Sequence, residues 1–226
     1  MSENQTNQDQ VVQEVIGKTE DFIQSNRKSL SIIVGALVVA VGGYLFYQKV
    51  YVAGKERDAQ AVMFHAEEYF KNDSLKLAVN GDGNNPGFEE IASEYSVSPS
   101  GNLAKYYLGM SYMRLKEYDK AIEALKSYDG EDRITGSLAL GAIGDAYMEL
   151  NNTEEAIGFY EKASKENPNN FSTPIMLMKL GGALESKGEY KDAITVYERI
   201  KKDYPTSSEG AQADRYIARA NALAGE

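Results

Sequence analysis

The chain has 226 residues, of which 42% are hydrophobic and 26% charged, so its composition is that of one or two folded domains and not of a disordered tail. It contains no cysteine, which excludes a disulfide framework, a thiolate nucleophile and a cysteine-type zinc site. Residues 1–57 carry six acidic and six basic side chains, so the net charge of −10 lies in residues 58–226, whose acidity disfavours nucleic acid and favours protein partners.

The first predicted element follows a polar leader (1–28) and contains an uncharged run over residues 29–48. As a helix, this run covers about 30 Å, the thickness of the hydrocarbon core of a bilayer. Basic and aromatic residues flank it, as they do at membrane interfaces. A cleaved signal peptide would not have so long a polar leader before its apolar run. A buried core helix would usually show a polar stripe, and this run has none. We therefore predict one transmembrane helix over residues 29–51, whose orientation the flanking charges leave open.

Residues 52–101 follow as linking helices or as a degenerate first repeat. Apolar side chains at helical spacing predict an amphipathic helix over residues 55–71 and a short helix over 88–95. The intervening segment GDGNNPG resembles a calcium loop only in part, because Pro86 occupies a ligand position and Ser93 stands where a bidentate Glu is required. We interpret it as a turn.

A period of about 34 residues then organises residues 102–207 into three copies, 102–136, 137–170 and 174–207. Each copy predicts two helices, with small residues where they approach one another. We expect Tyr147 and Tyr160 to fill the space between neighbouring pairs and Pro168 to end a second helix. Residues 208–226 predict a capping helix. The predicted packing positions are Gly109, Tyr112, Ala121, Gly144, Tyr147, Ala156, Tyr160, Pro168, Gly181, Ala193, Tyr197 and Pro205.

The spacing from Gly144 to Pro168 and from Gly181 to Pro205 matches the tetratricopeptide pattern. With a leader and one span before it, the chain resembles the tetratricopeptide family of the ancillary SecYEG translocon subunit. This resemblance implies a single-pass protein of the bacterial inner membrane with a cytoplasmic N-terminus and a periplasmic repeat domain. It also implies work beside the translocon or with periplasmic chaperones that handle exported chains. The C-terminal segment is similar to repeats of periplasmic proteins that coordinate envelope assembly or division.

The first helix of each copy is expected to line a groove. The predicted groove positions are Leu103, Tyr106, Met110, Met113, Arg114, Leu138, Asp145, Met148, Glu149, Ile175, Met178 and Glu185. Flexible methionines suit a surface that repacks around varied apolar segments, although they also commonly fill gaps in a core. The three acidic residues have the wrong sign to clamp a carboxylate tail.

We predict no catalytic, cofactor or metal site. His65 is the only histidine, and the sequence has no phosphate-binding loop. The predicted fold is all-α, with one N-terminal transmembrane helix followed by an α-solenoid of about three helical hairpins and flanking helices. The predicted function is a membrane-anchored protein–protein interaction module, not an enzyme, that serves translocation or chaperone handover without a small-molecule substrate. The alternative is a structural scaffold for an envelope-assembly or cell-division complex.

Overall fold

The computed structural model describes residues 16–20, 22–130 and 134–225, and within these ranges it contains helices and no strands, which confirms the predicted all-α class for this part of the chain. The chain divides into two units, 1–54 and 55–226. Most of the predicted leader lies outside the described residues.

The first unit contains helix α1 (Arg27–Phe46), which continues as a π-helical segment (Tyr47–Val52) that the sequence pattern does not predict. The apolar side chains of α1 are exposed, with Val39 at 74%. Helical backbone from Arg27 to Lys71 includes a stretch that is long and apolar enough to cross a membrane, as judged by length and composition alone. None of that stretch is buried, in contrast to the core helix of a soluble protein.

The helices that follow pack in chain order, and the first of them begins two residues before the second unit does. They are α2 (Ala53–Lys71), α3 (Leu75–Asn80), α4 (Phe88–Glu94), α5 (Pro99–Leu115), α6 (Tyr118–Ser127), α7 (Thr135–Glu149), α8 (Thr153–Lys165), α9 (Ser172–Lys187), α10 (Tyr190–Asp203), a 3₁₀ turn (Gly210–Gln212) and α11 (Ala213–Ala224). Helices α5 and α6, α7 and α8, and α9 and α10 form three hairpins, and α11 packs on α10. Each hairpin also contacts the next one, so the hairpins stack as a solenoid.

Helices α2 and α4 match the two helices predicted before the repeats, whereas α3 was not predicted. Helix α2 buries Ala59, Met63 and Ala66. The loop after α3 is a turn organised by Asp82, whose carboxylate accepts hydrogen bonds from the hydroxyl of Tyr69 at 2.6 Å and from the backbone N–H of Asn85 at 2.7 Å. These donors hold the pKa of Asp82 well below its usual value. The turn therefore uses the carboxylate that a calcium loop would offer to the ion.

The first helices begin earlier than the predicted copies do. Helix α5 begins at Pro99 and not near residue 102, because the hydroxyl of Ser98 accepts a hydrogen bond from the N–H of Gly101 at 3.0 Å and proline suits the first helical position. Helix α7 begins at Thr135 and not at 137.

Thr173 is a residue type that caps helices and it precedes Pro174, so the sequence predicts that it caps the first helix of the third copy, and this prediction is wrong. Helix α9 begins at Ser172, and the side-chain oxygen of Asn169 accepts hydrogen bonds from the N–H groups of Phe171 and Ser172 at 2.9 and 2.8 Å. The hydroxyl of Thr173 instead accepts a hydrogen bond from the N–H of Asn169 at 2.9 Å. The sequence likewise favours Thr153 as the cap of α8, whereas the N-cap is Asn152, whose side chain accepts a hydrogen bond from the N–H of Glu155 at 3.4 Å.

Candidate protein-binding groove

Close contact inside each hairpin fixes the position of the first helices. Residues 16 positions apart meet in all three hairpins: a methyl group at Gly109, Gly144 or Gly181 would overlap the side chain of Leu125, Tyr160 or Tyr197, respectively. The ring of Tyr160 packs on Gly144 of its own hairpin and also belongs to the buried cluster that contains Leu177 of the next hairpin, so it reaches the space between neighbouring pairs as well. The absence of a Cβ opens the hollow that the ring fills.

The other predicted packing positions divide by exposure. Tyr112, Ala121, Ala156 and Ala193 are buried, and Tyr147 is half-buried and stacks on Phe159 at 5.4 Å between ring centroids. Pro168 and Pro205 are exposed and follow the last residues of α8 and α10, Lys165 and Asp203. The prolines therefore lie where the second helices have already ended.

The predicted groove residues lie on α5, α7 and α9, and α7 contacts both of the other helices. None of the twelve is buried: Arg114 and Glu149 are exposed, and the other ten are half-buried. The structure thus places the three first helices side by side. All twelve predicted groove side chains are at least partly exposed to solvent. We refer to these twelve side chains as the groove.

The four groove methionines contact the core and solvent at the same time. Met110 and Met113 pack against the buried cluster that contains Ile143, and Met148 and Met178 pack against the cluster that contains Leu177. All four remain half-buried, so part of each side chain is available to a partner. The core-filling and groove-lining interpretations therefore apply to the same residues.

The charged groove residues have partners within the chain, which the sequence reasoning missed. Asp145 accepts hydrogen bonds from Lys179 at 2.6 Å and from the hydroxyl of Tyr160 at 2.8 Å. Glu185 pairs with Arg219 at 2.5 Å. Both ion pairs join residues 34 positions apart, so the repeat period itself was the signal that could have revealed them.

The two remaining charged positions also have partners, but only Arg114 has a partner of opposite charge among the described residues. Glu149 accepts a hydrogen bond from the hydroxyl of Tyr118 at 3.0 Å. Arg114 lies 2.5 Å from a carboxylate oxygen of Asp73. Three of the four charged groove residues are therefore in ion pairs, whereas Glu149 keeps its negative charge at the exposed end of α7, and the other groove residues are apolar or aromatic.

A buried tyrosine lies beside each of the Asp145 and Glu185 ion pairs. Burial, followed by the carboxylate of Asp145, raises the pKa of Tyr160, and burial followed by Glu185 does the same for Tyr197. The hydroxyl of Tyr197 and one carboxylate oxygen of Glu185 make no hydrogen bond within the described part of the chain. Because both pKa values are raised, the hydroxyls of Tyr160 and Tyr197 remain protonated near neutral pH.

Comparison with known proteins identifies the family. The model of the family described as tetratricopeptide repeat (TPR) matches residues 88–133 and 142–208, which together make up half of the chain. The chain belongs to the tetratricopeptide repeat family. The first matched segment begins at α4, earlier than the first copy predicted from the sequence. TPR arrays offer extended surfaces to other proteins, so the chain is a protein–protein interaction module.

Relatives and solved structures agree with the repeat fold. The chain is 30% identical over 128 residues to tetratricopeptide repeat protein 29 of Macaca fascicularis, covering 53% of this chain and 26% of that protein. It is 42% identical over 60 residues to tetratricopeptide repeat protein 21B of Mus musculus, covering 26% of this chain and 4% of that protein. The chain thus spans about a quarter or less of these relatives.

The TPR-like repeats of a putative kinesin light chain from Podosopora anserina have the same fold. One crystal structure superposes with a TM-score of 0.58 at 15% identity, covering 76% of this chain and 88% of that one. The crystal structure of a point variant of the same repeats gives 0.57 at 17% identity over the same shares. At this identity the likeness concerns the fold alone.

Proposed function

We propose that this TPR chain is a membrane-anchored binding subunit whose groove holds apolar segments of other proteins. The observation that carries the proposal is the row of half-buried methionines along consecutive first helices, next to charges that are already paired within the chain. We further propose that the subunit is accessory to protein translocation or to handover to periplasmic chaperones.

The chemistry of the groove favours an apolar and variable ligand. Methionine side chains can change rotamer to follow different shapes, and their sulfur is polarizable. An apolar segment that covers paired charges does not have to desolvate an isolated ion, which would otherwise oppose binding. A ligand that ends in a charged carboxylate would have to displace Asp145 from Lys179 or Glu185 from Arg219.

The anchor is proposed from residues 29–51, with 1–28 as a leader, 52–101 as the connection, 102–207 as the repeats and 208–226 as a cap. The length and apolar composition of α1 support it. The resemblance to the ancillary SecYEG subunit supports an inner-membrane location with a periplasmic repeat domain. A single span would keep the groove close to chains that emerge from a translocon.

Photo-crosslinking in native membranes tests this proposal. A photoreactive residue is placed at Val38 in the span or at Met148 in the groove, and the adducts are identified by mass spectrometry. The proposal predicts translocon subunits at Val38, and exported chains or their chaperones at Met148. Both side chains are partly or fully exposed, so replacement leaves the fold intact.

Other adducts would contradict the proposal in distinguishable ways. Cytoplasmic proteins at Met148 would contradict the periplasmic location. Envelope-assembly or division proteins at both positions would identify the alternative scaffold role. A chain recovered from the soluble fraction would contradict the anchor.

A further inference from the structure

A second surface lies on the side of α5 that faces away from the groove. Leu108 and Tyr112 are each two residues from Met110, so they lie about 160° around the helix axis from it. There they line a pocket of about 390 Å³ between α5 and α6, with Glu89 of α4 at its edge. Leu108 and Ala124 are buried and form its apolar wall.

Two carboxylates at this pocket are in no ion pair with the described residues. Glu89 and Glu123 lie on different helices and are exposed, and neither makes an ion pair or a side-chain hydrogen bond with any residue in 16–20, 22–130 or 134–225. The neighbouring Lys120 pairs with Glu117 at 2.6 Å, and Glu117 first and then the charge of Glu89 raise the pKa of its amine, so one amine faces several carboxylates. The pocket therefore has an excess of negative charge.

An aromatic ring completes the arrangement. Tyr112 is only 7% exposed, and within the described residues its hydroxyl has no hydrogen-bond partner. Burial first, and then the carboxylate of Glu89, raises the pKa of the Tyr112 hydroxyl, in agreement with a position near the acidic edge. The amine of Lys120 lies 5.2 Å from the ring centroid, which shows that the ring accepts a cation.

We propose that this pocket receives a lysine or arginine side chain of a protein partner. The aliphatic stem would pack on Leu108 and Ala124, and the cation would lie over Tyr112 between the carboxylates of Glu89 and Glu123. This contact is independent of the groove, so it gives the chain a second protein-binding surface with a preference for basic segments.

The test uses the full-length chain in lipid nanodiscs with labelled leucine and alanine methyl groups. The probe is acetyl-Gly-Lys-Gly-amide, and acetyl-Gly-Gln-Gly-amide serves as the uncharged control. The lysine peptide is expected to shift the methyl signals of Leu108 and Ala124 in a saturable manner, and the glutamine peptide is not. Equal shifts with both peptides would overturn the proposal.

A matched pair of variants separates a local site from overall acidity. The double variant Glu89→Gln, Glu123→Gln is expected to weaken binding roughly fivefold to tenfold, the combined effect of two partly exposed ion pairs. The control Glu155→Gln, Glu198→Gln removes the same charge from exposed positions on α8 and α10 and is expected to leave binding unchanged. Equal weakening by both variants would mean that general acidity alone attracts the peptide, which would overturn the site.

Lys120 competes with the peptide for the ring of Tyr112, so replacing it is expected to raise the affinity for the peptide, whereas the carboxylate variants lower it. In Lys120→Gln the cation that lies over Tyr112 is lost, so the peptide is expected to bind roughly threefold more tightly. Lys120 is exposed, and its replacement is compatible with the fold. Weaker binding by this variant would show that the peptide does not occupy the face of Tyr112.

Discussion

At the scale of single residues, the hairpins depend on glycines that face large side chains 16 positions later. Gly144 permits Tyr160 to lie against the backbone of α7, and from there the tyrosine hydroxyl reaches Asp145 at 2.8 Å. Close packing of this kind leaves no room for an additional methyl group, because protein interiors have few voids. The same contact thus sets both the spacing of the helices and the place of a groove residue.

We expect Gly144→Ala to lower the free energy of unfolding by about 1–3 kcal/mol, because the new methyl group overlaps the ring of Tyr160. The control is Gly158→Ala in α8, where the new methyl group meets open space and removal of a helical glycine is expected to stabilise by about 0.5–1 kcal/mol. Denaturant unfolding of both variants, followed by far-UV circular dichroism, measures the difference. Equal stability of the two variants would contradict the packing described.

The glycines of these packing contacts could be found from the sequence. The ion-pair partners that groove residues find in the following repeat could not. Gly144 and Gly181 were recognised from the repeat pattern, since small residues recur there at a fixed spacing. Lys179 and Arg219 were missed because a pattern of apolar and small positions carries no information about which charges meet. Their distance of 34 residues from Asp145 and Glu185 becomes meaningful only when consecutive first helices are known to lie side by side.

At the scale of helices, the starts of α5 and α9 depend on side-chain hydrogen bonds that the repeat pattern does not include. The pattern begins at the first packed position, whereas α5 begins at Pro99 after the cap of Ser98, and α9 begins at Ser172 after Asn169. Ser98 is the N-cap of α5, and Asn169 accepts hydrogen bonds from the backbone just before α9, and both are residue types that favour helix starts, so a search for such residues would have placed the boundaries better.

Helix α2 is attached to the first hairpin through hydrogen bonds to Ser100 in the first turn of α5. The carboxylate of Glu56 accepts hydrogen bonds from the backbone N–H of Ser100 at 2.8 Å and from its hydroxyl at 2.7 Å. Burial opposes the charged form, but these hydrogen bonds, with one from Gln60, outweigh it and hold the pKa of Glu56 below its usual value of 4.5. Glu56 therefore stabilises the fold only while it is ionised.

We expect Glu56→Gln to destabilise the chain by about 1 kcal/mol near neutral pH. Since the folded-state pKa of Glu56 is lowered, its contribution is present above its usual pKa of 4.5 and is lost as the pH falls through the folded-state value. The wild type and the variant should therefore converge in acid. Unfolding curves at several pH values measure this, with the exposed Glu68→Gln as the control. A difference that persists or grows in acid would contradict the assignment.

At the scale of the whole molecule, the repeat domain is a stack of hairpins whose buried clusters cross from one hairpin to the next. Membership of the TPR family follows from half of the chain, and with it comes the role of binding other proteins. The sequence could predict this architecture because the packing positions recur. It could not predict the identity of a client, since half-buried methionines fit many apolar segments and specify none of them.

The most direct test of the groove introduces charge among its methionines. A full-length chain with a photoreactive residue at Met148 is compared with the same chain carrying Met110→Glu and Met178→Glu. The control carries Ser93→Glu and Thr195→Glu, which are exposed positions outside the groove. Half-buried methionines tolerate the change better than buried ones do, and circular dichroism verifies that each variant is folded.

The measurement is the yield of protein adducts at Met148 in native membranes. A groove that binds apolar segments predicts that adducts are lost from the methionine variant and retained by the control, because two new carboxylates would have to be desolvated on binding. Adducts retained at full yield by a folded methionine variant would contradict the central role of the groove.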